Sequence, residues 1–308
     1  MAFFVVVDYW LRQGDRPVYH NRAEGTAFLA DEQGYLLTNR HVVCPWLSDR
    51  RLMMTIGLLR QNLEELQFDY RMYLWFEGQR AFSRLPSLSD SENAEDVYVT
   101  DTAFSTQGPR KVWIAGVAPV PIKTWDRVRS PLSDDFAVLK IDEVPPGLKS
   151  LPLAKDFNPA AIPKLTPLIA MGFPLGSQTQ AATINVSVTS GHVRRTFENM
   201  FQVDVSLHSG NSGGPFIDTR GRVVGLATVV AMKWSLSPMP VATPLSDIGM
   251  VLPITKTVAF LNELKAGTTK WKGVLDLAFE QHLHRIRDAA RKREWEKART
   301  LADQALGT

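Results

Sequence analysis

The chain of 308 residues holds a single cysteine, Cys44, so no disulfide can form within it. Secreted proteins of this size often carry disulfides, and a lone cysteine points to a reducing compartment or a periplasm. Long apolar runs are missing as well. The opening MAFFVVVDYW is too short to span a bilayer, contains Asp8 and has no basic leading region. It reads as a first buried strand rather than a signal peptide or a membrane span. With Met1 as the native start the expected location is the cytoplasm; with an upstream segment removed, it is the periplasm or a membrane anchor. Charge of one sign is scarce, at net +3, with eight Lys/Arg against six Asp/Glu in residues 271–308. Phosphate binding needs a clustered basic footprint, so nucleic acid is not an expected partner.

What is present is a globular composition, 44% hydrophobic and 22% charged, which separates the chain from disordered proteins. Residues 25–43, GTAFLADEQGYLLTNRHVV, read as strand, tight turn at Asp31–Gly34 and strand. Further short β runs lie at 70–78, 111–122, 135–141, 167–173, 183–191, 200–205, 214–218 and 221–230, punctuated by Gly, Pro, Asn and Asp. Many short strands with few helical patterns predict an all-β barrel or sandwich. Two stretches interrupt it. Residues 51–66 have apolar residues at helical spacing and predict an inserted helix. Residues 86–109, with five acidic residues and no Lys or Arg, predict a long surface loop, and such loops often gate a site.

After residue 255 the pattern turns helical. KTVAFLNELKAG predicts a helix closed by Gly267. The stretch 274–306 puts Leu275, Phe279, Leu283, Ile286 and Ala290 on one helical face, and Trp295, Ala298, Ala302 and Ala305 on another. Its end, REWEKARTLADQAL, resembles the second half of a tetratricopeptide repeat. Seven basic residues within 285–299 read as a solvated helix face.

The sharpest chemical signal is HSGNSGGPFID at 208–218, where three glycines surround Ser212. GNSGG matches G-x-S-x-G, the nucleophile elbow of α/β-hydrolases. That elbow needs a helix directly after the serine and a histidine downstream. Here Pro215 and a strand–turn–strand pattern follow, and the only later histidines, His282 and His284, lie in the charged tail. The remaining arrangement is His…Asp…Ser, the chain order of chymotrypsin-like double β-barrels, filled by His41, Asp135 and Ser212. A serine hydroxyl needs an imidazole to take its proton. The imidazole in turn needs a carboxylate to hold its tautomer and stabilise its cation. Glycines let the N–H groups of Gly210 and Ser212 both point at a developing oxyanion.

GTAFLADEQGYLLTNRHVV, DDFAVLKI, IAMGFPLG, FQVDVSLHSGNSGGPFID, GRVVGLAT and GMVLPI together resemble the Deg/HtrA-like branch of the trypsin-like serine peptidases over roughly residues 5–265. The resemblance implies a chymotrypsin-like double β-barrel, here mainly β with an inserted helix and a C-terminal helical hairpin. It implies a protease domain at 1–265 and a helical tail at 266–308. It selects Asp135 over Asp134 as the acid, and makes Asp204 structural. It also implies a primary substrate pocket walled by Ser206, Leu207, Thr228, Val229, Val230 and Met250, none of them charged.

Two departures stand beside it: a long His41-to-Asp135 separation, and a helical hairpin where a PDZ domain is usual; Asn211, where digestive enzymes carry an Asp, has no charge to pair with a newly cut N-terminus. The expected function is a serine endopeptidase acting on protein or peptide substrates without cofactor or metal, regulated by loop ordering or by a partner of the tail. The alternatives are a catalytically silent protease fold that binds proteins, and an esterase.

Overall fold

The computed structural model describes residues 1–59, 65–79, 98–100, 110–118, 134–180, 183–197, 199–235, 241–268, 273 and 275–306, with backbone alone at 98–100, 110, 229–235, 241–247 and 306. Seven strands form the first closed barrel: β1 (Ala2–Gln13), β2 (Arg16–Leu29), β3 (Tyr35–Thr38), β4 (Leu66–Phe76), β5 (Tyr98–Thr100), β6 (Arg110–Val117) and β7 (Ala137–Ile141). Their order is β1-β2-β3-β7-β6-β5-β4. The second closed barrel holds β8 (Pro167–Gly172), β9 (Ser187–Thr196), β10 (Phe201–Val203), β11 (Pro215–Ile217), β12 (Val223–Ser235) and β13 (Val241–Pro253), ordered β10-β13-β12-β11-β8-β9. The expected mainly β double barrel is the observed one.

Local chemistry explains the joints. Between β2 and β3, Asp31 Oδ1 accepts from Gln33 N at 2.9 Å and Tyr35 N at 3.2 Å, and Gly34 takes a φ of +84°. That is an Asx-type turn closed by the residue best suited to left-handed backbone. Along β10 and beyond, Phe201, Val203, Val205 and Leu207 are buried while Gln202, Asp204 and Ser206 are not. This period of two is that of a strand with one face on the core. One contiguous core joins Phe28, Leu37 and Val138 of the first barrel to Phe201, Phe216 and Leu252 of the second. Helix α3 (Ile254–Lys265) closes it, its Phe260 ring 5.2 Å from Phe136 at an edge-on angle. Gly267 ends the helix region with φ +75°, as expected.

Some elements differ from expectation. His41 does not end a strand. β3 stops at Thr38, and His41 lies in a single-turn helix, α1 (Arg40–Val43). The alternation fails there because Asn39, Arg40, Val42 and Val43 are all buried. The inserted helix α2 (Arg50–Leu58) is shorter than expected, and Leu66 already belongs to β4. Within 86–109, Tyr98–Thr100 form β5, antiparallel to β4 and parallel to β6; the rest of that stretch lies outside the described residues.

Contacts divide the chain into two units: Met1–Val7, Ala23–Pro45 and Arg71–Gly273 in the first, and Asp8–Arg22, Trp46–Tyr70 and Val274–Thr308 in the second. In the second unit, Asp49 is the N-cap of α2, accepting from Arg51 N and Leu52 N. The same carboxylate accepts from the hydroxyls of Tyr9 and Tyr19, each at 2.5 Å. Trp46 packs beside Tyr9, Phe68 and Tyr70. The tail forms the helical hairpin α4 (Leu277–Arg291) and α5 (Trp295–Leu306). Its buried residues are Ala289, Ala298 and Ala305, whereas Phe279 and Trp295 are exposed. On the first expected face Phe279 is exposed while Leu275, Leu283, Ile286 and Ala290 are partly buried. Among the described residues, no helix is long and apolar enough to cross a membrane.

Candidate active site

His41 and Asp135 come together directly. The carboxylate approaches the imidazole Nδ1 at 2.6 Å through Oδ2, and Oδ1 accepts the backbone N–H of His41 at 3.0 Å. Asp135 is almost fully buried, 1% exposed, which by itself favours its neutral form. Burial is outweighed: the charge and hydrogen bonds of His41, with Arg40 nearby, hold the carboxyl below the usual range. An ionised carboxylate only accepts, so Nδ1 is the donor in this contact.

The backbone around the pair is tied down by groups the sequence did not single out. Asn39 Nδ2 donates to Asp135 O at 2.8 Å, and Arg40 Nη1 donates to the carbonyls of Ala118 and Asp134. Thr228 Oγ1 donates to Asp135 Oδ2 at 3.0 Å. Thr228 was expected as a wall of the substrate pocket, but its hydroxyl is turned to the acid. The β12–β13 register shifts between Ala227 and Val229, so Thr228 is the residue in the bulge. A bulge re-aims a side chain, and here it does so toward Asp135.

The glycine-rich turn carrying Ser212 reaches the same place from the second barrel. Thr26 N donates to Ser212 O at 2.8 Å, and Thr26 Oγ1 donates to Gly210 O at 2.7 Å. A side chain at Gly25 would meet Val42, the neighbour of His41, at 2.6 Å and Ser212 O at 3.1 Å. Gly210 is buried with φ +95°, and a Cβ there would lie 2.1 Å from Phe173 O, so only glycine fits. The N–H groups of Gly210 and Ser212 donate to nothing among the described residues. Ser209 O instead points back to Leu175 N at 2.6 Å, which holds the turn from behind. Among the described residues no hydrogen bond joins Ser212 Oγ to His41.

The other expected pocket residues divide between two faces. Leu207 is buried, its Cδ1 against Gly249 of β13. Met250 pairs with Val229, and Val230 with Gly249; the side chains of Val229 and Val230 lie outside the described ones. Ser206 and His208 face elsewhere, into a cavity of about 210 Å³ walled by β8 and β9, with Ser206 Oγ 3.4 Å from His208 Nε2. The alternation in FQVDVSLHSG contains this division, since consecutive strand residues point to opposite faces. Asp204, read as structural, accepts from His192 N and pairs with Arg194 on the outside of the second barrel.

Residues 25–226 match the sequence profile of the trypsin-like peptidase domain, a span that begins at the glycine beside Ser212 and takes in the whole constellation. The chain belongs to that family. Its relatives include a serine protease Do-like HtrA of Lactococcus lactis, 29% identical over 141 residues, covering 43% of this chain and 33% of that protein. A probable periplasmic serine endoprotease DegP-like of Chlamydia trachomatis is 25% identical over 224 residues, covering 71% of this chain and 31% of that one. The chain thus spans about a third of the length of these two relatives. The solved structure of a serine endoprotease from Yersinia pestis covers 86% of this chain and 64% of that one at 18% identity, with a TM-score of 0.46. The trypsin-like peptidase profile ends within β12, so β13 and the three C-terminal helices lie beyond it.

Proposed function

We propose that this trypsin-like domain is a serine endopeptidase in which Ser212 is the nucleophile, His41 the general base and acid, and Asp135 the orienting carboxylate. Ser212 Oγ attacks the scissile carbonyl carbon while its proton passes to His41 Nε2. The carbonyl electrons move onto oxygen, facing the N–H groups of Gly210 and Ser212. Collapse of that intermediate expels the amine, which takes the proton from His41 and leaves an acyl-enzyme. Water repeats the sequence and frees the acid. The observation that carries the reading is the 2.6 Å contact of Asp135 with Nδ1, because it engages that nitrogen and leaves Nε2 as the one that can exchange a proton with Ser212.

The test is labelling with a fluorophosphonate, which traps a serine only where base and oxyanion donors cooperate. Wild type is expected to label, and Ser212→Ala or His41→Ala to lose labelling and several orders of magnitude in kcat. An unlabelled wild type would favour the silent binding fold. Equal peptide hydrolysis by Ser212→Ala would sink the assignment.

Specificity follows from the uncharged wall. A basic or acidic side chain entering beside Leu207 and Met250 would lose hydration without gaining a counter-ion, which is costly. Cleavage is expected after small or medium aliphatic residues such as Val, Ala or Leu. Dominant cleavage after Lys, Arg, Asp or Glu in a peptide library would contradict it. Asn211 has no charge to pair with a newly cut N-terminus, so control is assigned to loop ordering rather than N-terminal trimming. The exposed Phe279 and Trp295 support a partner-binding role for the α4–α5 hairpin.

A further inference from the structure

Glu24 lies in β2 beside Gly25, close to the turn that carries Ser212, and its carboxylate grips a segment of the second barrel. It accepts twice from Ser177: from the backbone N at 2.9 Å through Oε2, and from Oγ at 2.7 Å through Oε1. Oε2 also lies so near Gly176 that a Cβ there would meet it at 1.9 Å. One carboxylate of the first barrel thus ties down the loop that leaves β8.

That loop has a backbone that needs holding. Leu175 and Gly176 are left-handed in succession, with φ +61° and +55°. Such a conformation costs a non-glycine residue free energy and persists only where surrounding groups fix it. Leu175, Ser177, Gln178 and Thr179 are exposed, so burial contributes little. Bonds within the loop make it one piece: Thr179 Oγ1 donates to Pro174 O and Gly176 O, and Gln178 N to Leu175 O. Glu24 ties that piece to β2.

The piece in turn orients a peptide of the Ser212 turn. Leu175 N donates to Ser209 O at 2.6 Å. In a planar trans peptide the carbonyl and the N–H point in opposite directions. Holding Ser209 O from behind therefore aims the Gly210 N–H forward, toward the developing oxyanion of the proposed mechanism. The next peptide is held separately, since Thr26 Oγ1 donates to Gly210 O at 2.7 Å. β2 thus fixes both peptides flanking Gly210, one directly through Thr26 and one through Glu24 and the loop. An oxyanion donor is effective because it is aimed before charge develops.

We propose that Glu24 is a positioning residue: its grip on Ser177 keeps Leu175 against Ser209 O and so keeps the Gly210 N–H aimed. It acts through the loop and not on the reacting groups. The catalytic consequence rests on the peptidase reading; the hold on the turn does not.

Glu24→Gln tests it, because it keeps the shape and removes the charge and one acceptor. The first readout needs no activity: exchange of the Leu175 amide hydrogen, followed by NMR in the full chain carrying isotopically labelled leucine. Exchange should be about tenfold faster in Glu24→Gln, which corresponds to about 1.4 kcal/mol of lost local stability. Ser177→Ala should move it the same way by less, and should add nothing once Glu24 is Ala. The second readout is kinetic. With an aliphatic peptide substrate, kcat should fall about tenfold with KM unchanged, less than the hundredfold or more lost with an oxyanion donor itself. A peptide ending in valinal, whose hemiacetal oxygen needs the same donors, should bind the variant more weakly. The same peptide ending in valinol should bind both proteins alike. If Glu24→Gln fails to fold, Ser177→Ala is read in its place. Unchanged Leu175 exchange, unchanged kcat, or equal losses of valinal and valinol affinity would overturn the proposal. Faster exchange in the variant, with wild type unlabelled by fluorophosphonate, would refute the peptidase reading and uphold the hold on the turn. Labelling with unchanged exchange would refute the hold alone.

Discussion

At the scale of single residues, the acid of the constellation is set by what donates to it. Asp135 Oδ2 receives both the His41 imidazole and the Thr228 hydroxyl. On the proposed mechanism Thr228 is a positioning residue, because it holds the carboxylate that holds the imidazole. Thr228→Val keeps the shape and removes the donor, which leaves a buried oxygen one partner short at a cost of about 1–3 kcal/mol. We expect kcat/KM to fall about tenfold to a hundredfold and the acidic limb of its pH profile to move. Thr228→Ser should restore both. A valine variant with unchanged kinetics and pH profile would show that the bulge, and not the hydroxyl, is what matters.

At the scale of elements, the loop that leaves β8 explains why the turn carrying Ser212 keeps its form. Its backbone runs through Phe173, whose carbonyl leaves no space for a side chain at Gly210, to Leu175, which anchors Ser209 O. Leu175 bears the left-handed φ and is 43% exposed, so it gains little from burial to offset that conformation. Leu175→Gly removes a strain of about 1–2 kcal/mol, and part of that gain returns as lost chain stiffness. Thermal unfolding should therefore show an equal or higher midpoint than wild type. A lower midpoint would mean that contacts of the leucine side chain outweigh the strain.

At the scale of the whole molecule, carboxylates with depressed pKa values link the fold to pH. In the first unit Asp135, Asp204 and Asp218 lie below the usual range; for each, burial opposes the shift and is overcome by hydrogen bonds and cationic neighbours. In the second unit Asp49 falls to about 2 from 3.8, burial being outweighed by bonds from Tyr19, Tyr9, Asn21 and the backbone of Leu52. A folded-state pKa below the unfolded one contributes stability above the unfolded value, lost as pH falls through the folded value. The contribution of these carboxylates should therefore decline from about pH 4 toward pH 2. Followed by circular dichroism, Asp49→Asn should be less stable at neutral pH and show a shallower acid decline. Parallel curves for wild type and variant would remove Asp49 from the linkage.

What the sequence determined by itself was everything carried by short-range pattern. Alternation and turn residues marked most of the strands, GNSGGP marked Ser212 among its glycines, and chain order separated the barrel arrangement from the hydrolase elbow. These depend on backbone sterics within a few residues, so they are legible without the fold. The tertiary structure alone decided which groups serve the acid and where the pocket faces point. Thr228 turns to Asp135 because β12 bulges against β13, and β5 exists because β4 and β6 lie on either side of it. Ser206 and Leu207 part because the segment that follows β10 passes between a core on one side and a polar cavity on the other. Strand partners and bulges are set by residues distant in the chain, and their geometry appears only when both barrels close.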